Sequence, residues 1–100
     1  MEKRRVVITG LGAVTPCGIG VNNFWESMLE GKSGVSLVER INTEKQAVKI
    51  GAEIKDKDFN PDDYIDPKDA KRMDRFTQFA VVAADEAIAD SGIDEANIDP

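Results

Sequence analysis

The order of apolar and polar residues along the chain predicts a mixture of strands and helices. Val6-Val7-Ile8 is an unbroken run of β-favouring apolar residues, which predicts a buried strand of a parallel sheet. From Val48 to Ile54 apolar and polar residues alternate, which predicts a second strand at a sheet edge or outside the main sheet. Residues 35–46 show neither pattern, so we expect mainly loop there.

Three short segments carry the signals that start a helix. Asn23, with Glu26 three residues later, has capping-box spacing and predicts a helix that Gly31 ends. Asn60-Pro61 and Asp66-Pro67 each place a capping side chain before a proline at the first helical position. The helix that begins at Pro61 should be short, because Pro67 interrupts it. The apolar face of the first helix is expected to consist of Phe24, Met28 and Leu29, with Trp25 beside it.

The last helix is predicted from about Asp74 to Ser91, with Gly92 as its C-terminal stop. Its apolar stripe at 3.6-residue spacing consists of Phe76, Phe79, Ala80, Ala83, Ala84, Ala87 and Ile88. Val81 and Val82 add apolar surface outside that stripe, so we expect burial on more than one side. Two strands and a few short helices cannot cover such a helix. We therefore expect a truncated chain or the first part of a larger one, because 100 residues form one small domain at most.

Composition excludes several classes of function. The net charge of −6 disfavours binding to nucleic acid phosphates, and no apolar run is long enough to span a membrane. The single cysteine, Cys17, cannot form an internal disulfide and favours a reducing compartment, so the expected location is cytoplasmic. The chain has no histidine, which removes zinc sites of the usual Cys/His kind and any Cys–His or Ser–His pair within it.

The loop after the first predicted strand, Gly10-Leu11-Gly12-Ala13-Val14-Thr15, invites comparison with a dinucleotide-binding loop. Thr15 stands where the third glycine should be, and Pro16, Gly18 and Gly20 prevent a helix from starting there. We therefore expect these glycines to serve a tight turn and predict no cofactor site. Cys17 lies in the same loop without a nearby base or helix start, so an unreactive small residue is the preferred interpretation.

Four basic residues have helical spacing if the helix begun at Pro67 runs through residue 75. They are Lys68, Lys71, Arg72 and Arg75. On one helix face they would form a landing site for an acidic partner. The sequence pattern alone favours a solvated face partly neutralised by Asp69 and Asp74. Acidic residues between 56 and 69 lack the spacing of a calcium loop and are explained mainly as helix caps, so no metal site is predicted.

Several blocks of the chain resemble the β-ketoacyl-[acyl-carrier-protein] synthases, and most of all their synthase II branch. The blocks are Arg5 to Pro16, Phe24-Trp25, Gly31 to Val35, Arg72 to Phe76 and Ala80 to Ala84. Their spacing also matches, so the resemblance covers essentially the whole chain. It implies the N-terminal part of a thiolase-like layered αβαβα fold, with residues 1–100 as a truncated segment of the synthase N-terminal domain.

The resemblance implies an acyltransferase of fatty acid biosynthesis. The family condenses malonyl-carrier protein with an acyl thioester by decarboxylative Claisen chemistry, using a nucleophilic cysteine and two histidines. Cys17 does not match the nucleophile position, so no catalytic residue is expected in these 100 residues, and the fragment alone should be inactive. The family also implies acyl carrier protein as partner and a homodimer for the full-length enzyme.

One family site can be transferred to this sequence. The basic residues just before Met73-Asp74 match the surface on which the acidic carrier protein docks, which favours docking at Lys68, Lys71 and Arg72. Arg75 has no family match and stays a weaker candidate. Three alternatives remain open: a polyketide ketosynthase, a chain-length partner that lacks the cysteine, and a non-catalytic carrier-binding module.

Overall fold

The computed structural model describes residues 3–94, which form two small hairpins, three α-helices and a short 3₁₀ turn. In chain order the elements are β1 (Val14–Thr15), β2 (Gly18–Ile19), α1 (Val21–Glu30), β3 (Val35–Leu37), β4 (Ile50–Ala52), a 3₁₀ turn (Pro61–Asp63), α2 (Pro67–Ala70) and α3 (Arg75–Ser91). Strands β1 and β2 form one antiparallel pair, and β3 and β4 form another.

The glycine-rich segment before β1 lies directly on the backbone of α3. A Cβ atom at Gly12 would overlap the carbonyl group of Ala83, and one at Gly10 would overlap the carbonyl oxygen of Ala87. Any larger residue would push the segment off the helix. These glycines are therefore required by close packing of a loop on a helix.

The core is centred on Phe59, which is only 2% exposed. Its ring stacks on Tyr64 with centroids 5.6 Å apart and meets the edge of Phe79 at 5.1 Å. Ala70 of α2 and Val82 of α3 are also buried. Aromatic contacts of this kind add to simple area burial, so this cluster joins α3 to the segment after β4 that carries Phe59 and Tyr64.

The expected strand at Val6-Val7-Ile8 is absent from the described residues. This segment has no strand partner there, and Val6 is 93% exposed. A parallel strand exists only through hydrogen bonds to its neighbours, and β1 to β4 pair only with one another. By contrast, the loop expected at residues 35–46 contains β3, whose partner β4 occupies the middle of the second predicted strand.

The predicted N-terminus of the first helix was wrong. Helix α1 begins at Val21 with Gly20 as its cap, and Asn23 instead donates from Nδ2 to the carbonyl oxygen of Ile19 at 2.9 Å. Gly31 ends α1 in the left-handed conformation, as predicted. The expected apolar face is largely uncovered, since Trp25, Met28 and Leu29 are all exposed.

Helix α3 has nearly the predicted length, but the buried face differs from the predicted stripe. Val82, placed outside the stripe by the sequence, is its most buried residue. Phe76 and Ile88 are exposed, because the helix packs on the described residues along one side only. The two proline-preceded starts are confirmed: Asn60 and Asp66 accept backbone hydrogen bonds from residues 62 and 68.

Replacing Gly12 by alanine should destabilise the fold by about 3 kcal/mol, the upper range for overpacking, because the added methyl group meets helix backbone that cannot rotate away. Gly31→Ala is the control, since its Cβ would meet nothing within 4 Å and the cost is only about 1 kcal/mol for the left-handed backbone. Urea unfolding measures both. Equal losses for the two variants would contradict the close packing of this loop on α3.

Candidate functional site

The first candidate site, the glycine loop, has its backbone donors occupied by carboxylates of α3. Glu86 accepts from the amide of Ala13 at 2.9 Å through Oε1 and from the amide of Val21 at 3.0 Å through Oε2. Asp90 accepts from the amide of Leu11 at 3.1 Å. In a dinucleotide-binding loop such amides would face a phosphate. Here carboxylates of the same chain accept from the amides of Leu11 and Ala13 instead.

Glu86 also acts as the cap of α1. The residue before α1 provides no side-chain cap. The amide of Val21 is one of the N-terminal donors that find no acceptor within the helix. A carboxylate at this end of a helix is favourable both as an acceptor and toward the helix dipole. One side chain therefore fixes the glycine loop and α1 onto α3 together.

Cys17 lies in the turn between β1 and β2, beside an open cavity of ≈ 430 Å³. Its thiol is 3.8 Å from the carbonyl oxygen of Lys32, and its own carbonyl accepts from the Ser27 hydroxyl at 2.6 Å. Lys32 pairs with Glu30, whose hydrogen bond and charge raise the pKa of Lys32. No basic side chain is hydrogen-bonded to the thiol among the described residues, so the arrangement offers no general base for a nucleophile.

The basic residues expected to form one helix face are divided by a break at Asp74. Helix α2 ends at Ala70, and hydrogen bonds from the amides of Lys71, Arg72 and Met73 continue its turn. Asp74 then takes an extended conformation, with φ −67° and ψ 159°, and caps α3. The condition for placing all four residues on one face, a helix that runs from Pro67 through residue 75, is therefore not met.

Lys68, Lys71 and Arg72 nevertheless remain neighbours at positions i, i+3 and i+4 of one helical turn. All three are exposed. Among the ion pairs found within residues 3–94, none involves these three side chains, so Asp69 and Asp74 do not neutralise them by direct contact. We name these three residues the basic corner.

Arg75 faces the other way, into the protein. Its Nη2 donates to the carbonyl oxygen of Ile54 at 2.6 Å, and its Nη1 lies 3.3 Å from Asp56. The guanidinium lies over the rings of Phe59 and Phe79, at 5.5 and 5.0 Å from their centroids. Burial, with a smaller contribution from nearby Arg40, lowers the pKa of Arg75. Arg75 therefore does not extend the basic corner.

Three side chains with structural consequences escaped the sequence interpretation: Glu86, Asp56 and Gln78. Asp56 bridges Arg40 and Arg75, whereas the sequence grouped it with capping acids. Gln78 donates to the carbonyl oxygen of Ala70 at 3.1 Å. Their partners lie between 8 and 73 residues away in sequence, so no local pattern identifies them.

Within the part of the chain that the structure describes, no group of histidine, cysteine, aspartate or glutamate side chains is arranged to hold a metal ion. Among the same residues, no helix combines the length and apolar content needed to cross a bilayer.

Comparison with known proteins gives a consistent family match. The model of the β-ketoacyl synthase N-terminal domain matches residues 3–100. The chain is 48% identical over 93 residues to 3-oxoacyl-[acyl-carrier-protein] synthase 2 of Staphylococcus aureus (strain COL), covering 93% of this chain and 22% of the relative. It is 45% identical over 101 residues to the protein of the same name from Synechocystis sp., covering 99% of this chain and 24% of that one.

Two solved structures are similar over nearly the whole chain. One is the ishigamide ketosynthase/chain length factor, with a TM-score of 0.80 and 32% identity over 97% of this chain and 24% of that one. The other is a type II polyketide synthase acyl-carrier protein in complex with its ketosynthase, with a TM-score of 0.65 and 31% identity over 98% and 21%. The chain thus spans less than a quarter of the length of these relatives.

Replacing Glu86 by glutamine should destabilise the protein by about 2 kcal/mol, because an amide has one acceptor oxygen and no charge for the two backbone donors. Asp85→Asn, at an exposed neighbouring position of α3, should change stability by less than about 0.5 kcal/mol. Urea unfolding compares the two. Equal stability of both variants would show that Glu86 does not hold the loop and α1.

Proposed function

The chain belongs to the β-ketoacyl synthase family, and from this premise we propose that it forms the N-terminal segment of a 3-oxoacyl-[acyl-carrier-protein] synthase of fatty acid elongation. The identity of 48% to a synthase 2, against 31–32% to the two ketosynthase structures, is the observation that carries this choice. The expected fold class, the N-terminal part of a thiolase-like α/β fold, is confirmed by the structural matches.

The proposed reaction joins a malonyl unit to an acyl chain. Loss of carbon dioxide from malonyl-carrier protein leaves a carbanion, which attacks the carbonyl carbon of an acyl thioester and expels the thiolate. By resemblance to the family, a cysteine holds the acyl group and two histidines assist. The present chain has no histidine, and its one thiol lacks a base, so the reacting groups must come from other segments of such an enzyme.

The basic corner is the part of the chain that we assign to recognition. It presents three exposed cationic side chains, free of ion pairs to the described residues, on a chain whose net charge is −6. An isolated basic patch on an acidic protein suits an acidic partner, which it attracts over the range of the Debye length. One similar structure is a ketosynthase in complex with its acyl-carrier protein, which supports carrier protein as that partner.

A second candidate function is that of a polyketide ketosynthase or its chain-length partner, because the similar solved structures carry those titles. A non-catalytic carrier-binding module is a third. All three share the docking face and differ in the chemistry of the complete enzyme. Cytoplasmic location and a homodimeric complete enzyme belong to the same proposal and rest on the family resemblance.

Condensation should be detectable only when these residues are joined to the rest of a synthase. We expect the isolated 100-residue chain to release no carbon dioxide from malonyl-carrier protein. A chimeric synthase, in which residues 1–100 replace the matching segment of the Staphylococcus aureus relative, should condense. A radiometric assay of 3-oxoacyl product measures both. Condensation by the isolated chain would overturn the proposal, and so would an inactive but correctly folded chimera.

Charge reversal of the basic corner tests the docking assignment. Lys68→Glu, Lys71→Glu and Arg72→Glu together should raise the KM of the chimeric synthase for malonyl-carrier protein roughly tenfold at low salt and less at high salt, with kcat retained. Lys71→Glu alone is compared with Lys45→Glu, the same charge change at an exposed loop position. If the two single variants raise KM equally, the change follows from the net charge of the protein, and docking at the basic corner is refuted.

A further inference from the structure

We propose that Arg75 is a positioning residue of the docking face, which holds the basic corner in place from beneath rather than contacting the carrier protein. The proposal rests on the proposed function, since it assigns Arg75 a part in the recognition that the basic corner performs. Three observations support it: the weakness of the corner as an isolated element, the contacts of Arg75, and the direction in which its charge points.

The basic corner cannot hold its shape alone. Helix α2 has only four residues, far fewer than an isolated helix needs in water. The connection to α3 is the extended residue Asp74, which does not continue the helical hydrogen bonds. The corner therefore depends on contacts with the rest of the protein, which its exposed lysines and Arg72 do not make.

The first turns of α3 contact the helix of the corner at one point and the segment after β4 at another. Gln78 donates to the carbonyl oxygen of Ala70, a buried residue of α2, and so fixes the end of that helix. Arg75 reaches the segment after β4, where it binds the carbonyl oxygen of Ile54 and the carboxylate of Asp56. Together they tie the start of α3 to the corner on one side and to residues 54–56 on the other.

The contacts of Arg75 require the shape of its guanidinium as well as its charge. One planar group donates to the carbonyl oxygen of Ile54, pairs with Asp56 and lies over two aromatic rings. A lysine ammonium cannot reproduce this combination. With a side chain only 22% exposed and paired with Asp56, Arg75 offers little charge to an acidic partner at the surface.

The test separates geometry from charge in the chimeric synthase. Arg75→Lys keeps the charge but loses the planar guanidinium with its several donors. It should raise the KM for malonyl-carrier protein about threefold to tenfold, with kcat within about twofold of the wild-type value. The relative rise should be the same at low and high salt. Arg4→Lys, the same change at an exposed position outside the docking face, should leave KM unchanged.

Hydrogen exchange gives a readout that does not depend on the carrier protein. The amides of Lys71, Arg72 and Met73 are hydrogen-bonded to carbonyl groups of the turn that carries the basic corner. In Arg75→Lys the amides of the peptide covering residues 67–74 should therefore exchange about tenfold faster. Exchange in α1 should not change. Unchanged exchange in residues 67–74 would overturn the positioning role.

The outcomes separate this proposal from the docking assignment. If the charge reversals leave KM unchanged, docking at the basic corner fails, whatever Arg75 does to hydrogen exchange. If they raise KM while Arg75→Lys behaves as wild type, docking holds and the positioning role is refuted. A third variant, Arg75→Met, removes the charge. If Arg75→Met raises KM while Arg75→Lys does not, and the rise is smaller at high salt, Arg75 acts on the carrier through its charge and the proposal is refuted as well.

Discussion

The interaction on which most of the described fold depends is the double acceptance of backbone hydrogen bonds by Glu86. Its two oxygens join the glycine loop at Ala13 and the start of α1 at Val21 to the middle of α3. The close approach at Gly12 brings the loop near enough for this contact. A single carboxylate thus holds the glycine loop and α1 on α3, while Val6 to Ile8 have no strand partner among the described residues.

A second set of contacts organises the other end of α3. The rings of Phe59 and Phe79 contact each other, and the guanidinium of Arg75 lies over both. The same guanidinium donates to the carbonyl oxygen of Ile54 and pairs with Asp56. These groups hold the start of α3 against the segment after β4, while the short turn carrying Lys68, Lys71 and Arg72 faces outward. Arg75 thus serves the packing of the protein, whereas Lys68, Lys71 and Arg72, which we propose for recognition, are exposed.

Local signals in the sequence predicted the structure well wherever residues adjacent in sequence determine the backbone conformation. Asn60 and Asp66 cap the turns that follow them, and Gly31 and Gly92 end α1 and α3 in the left-handed conformation. The family resemblance identified the fold class, which no local signal could supply.

The predictions that failed depend on partners distant in sequence. Asn23 has the residue type of a cap, but α1 starts earlier because Glu86, 65 residues after Val21, satisfies its first amide. Strand β3 forms only through its pairing with β4. Arg75 fits the spacing of the basic stripe, yet the extended backbone of Asp74 and the aromatic pocket turn it inward. Contacts of this kind are properties of the assembled structure.

The docking site that we propose for an acidic carrier protein is the turn that carries Lys68, Lys71 and Arg72. A crystal structure of the chimeric synthase cross-linked to its carrier protein tests this most directly. We expect carboxylates of the carrier within about 4 Å of at least two of these three side chains, with Arg75 still bound to the carbonyl oxygen of Ile54. A carrier protein seated on another face, with these three side chains in solvent, would contradict it.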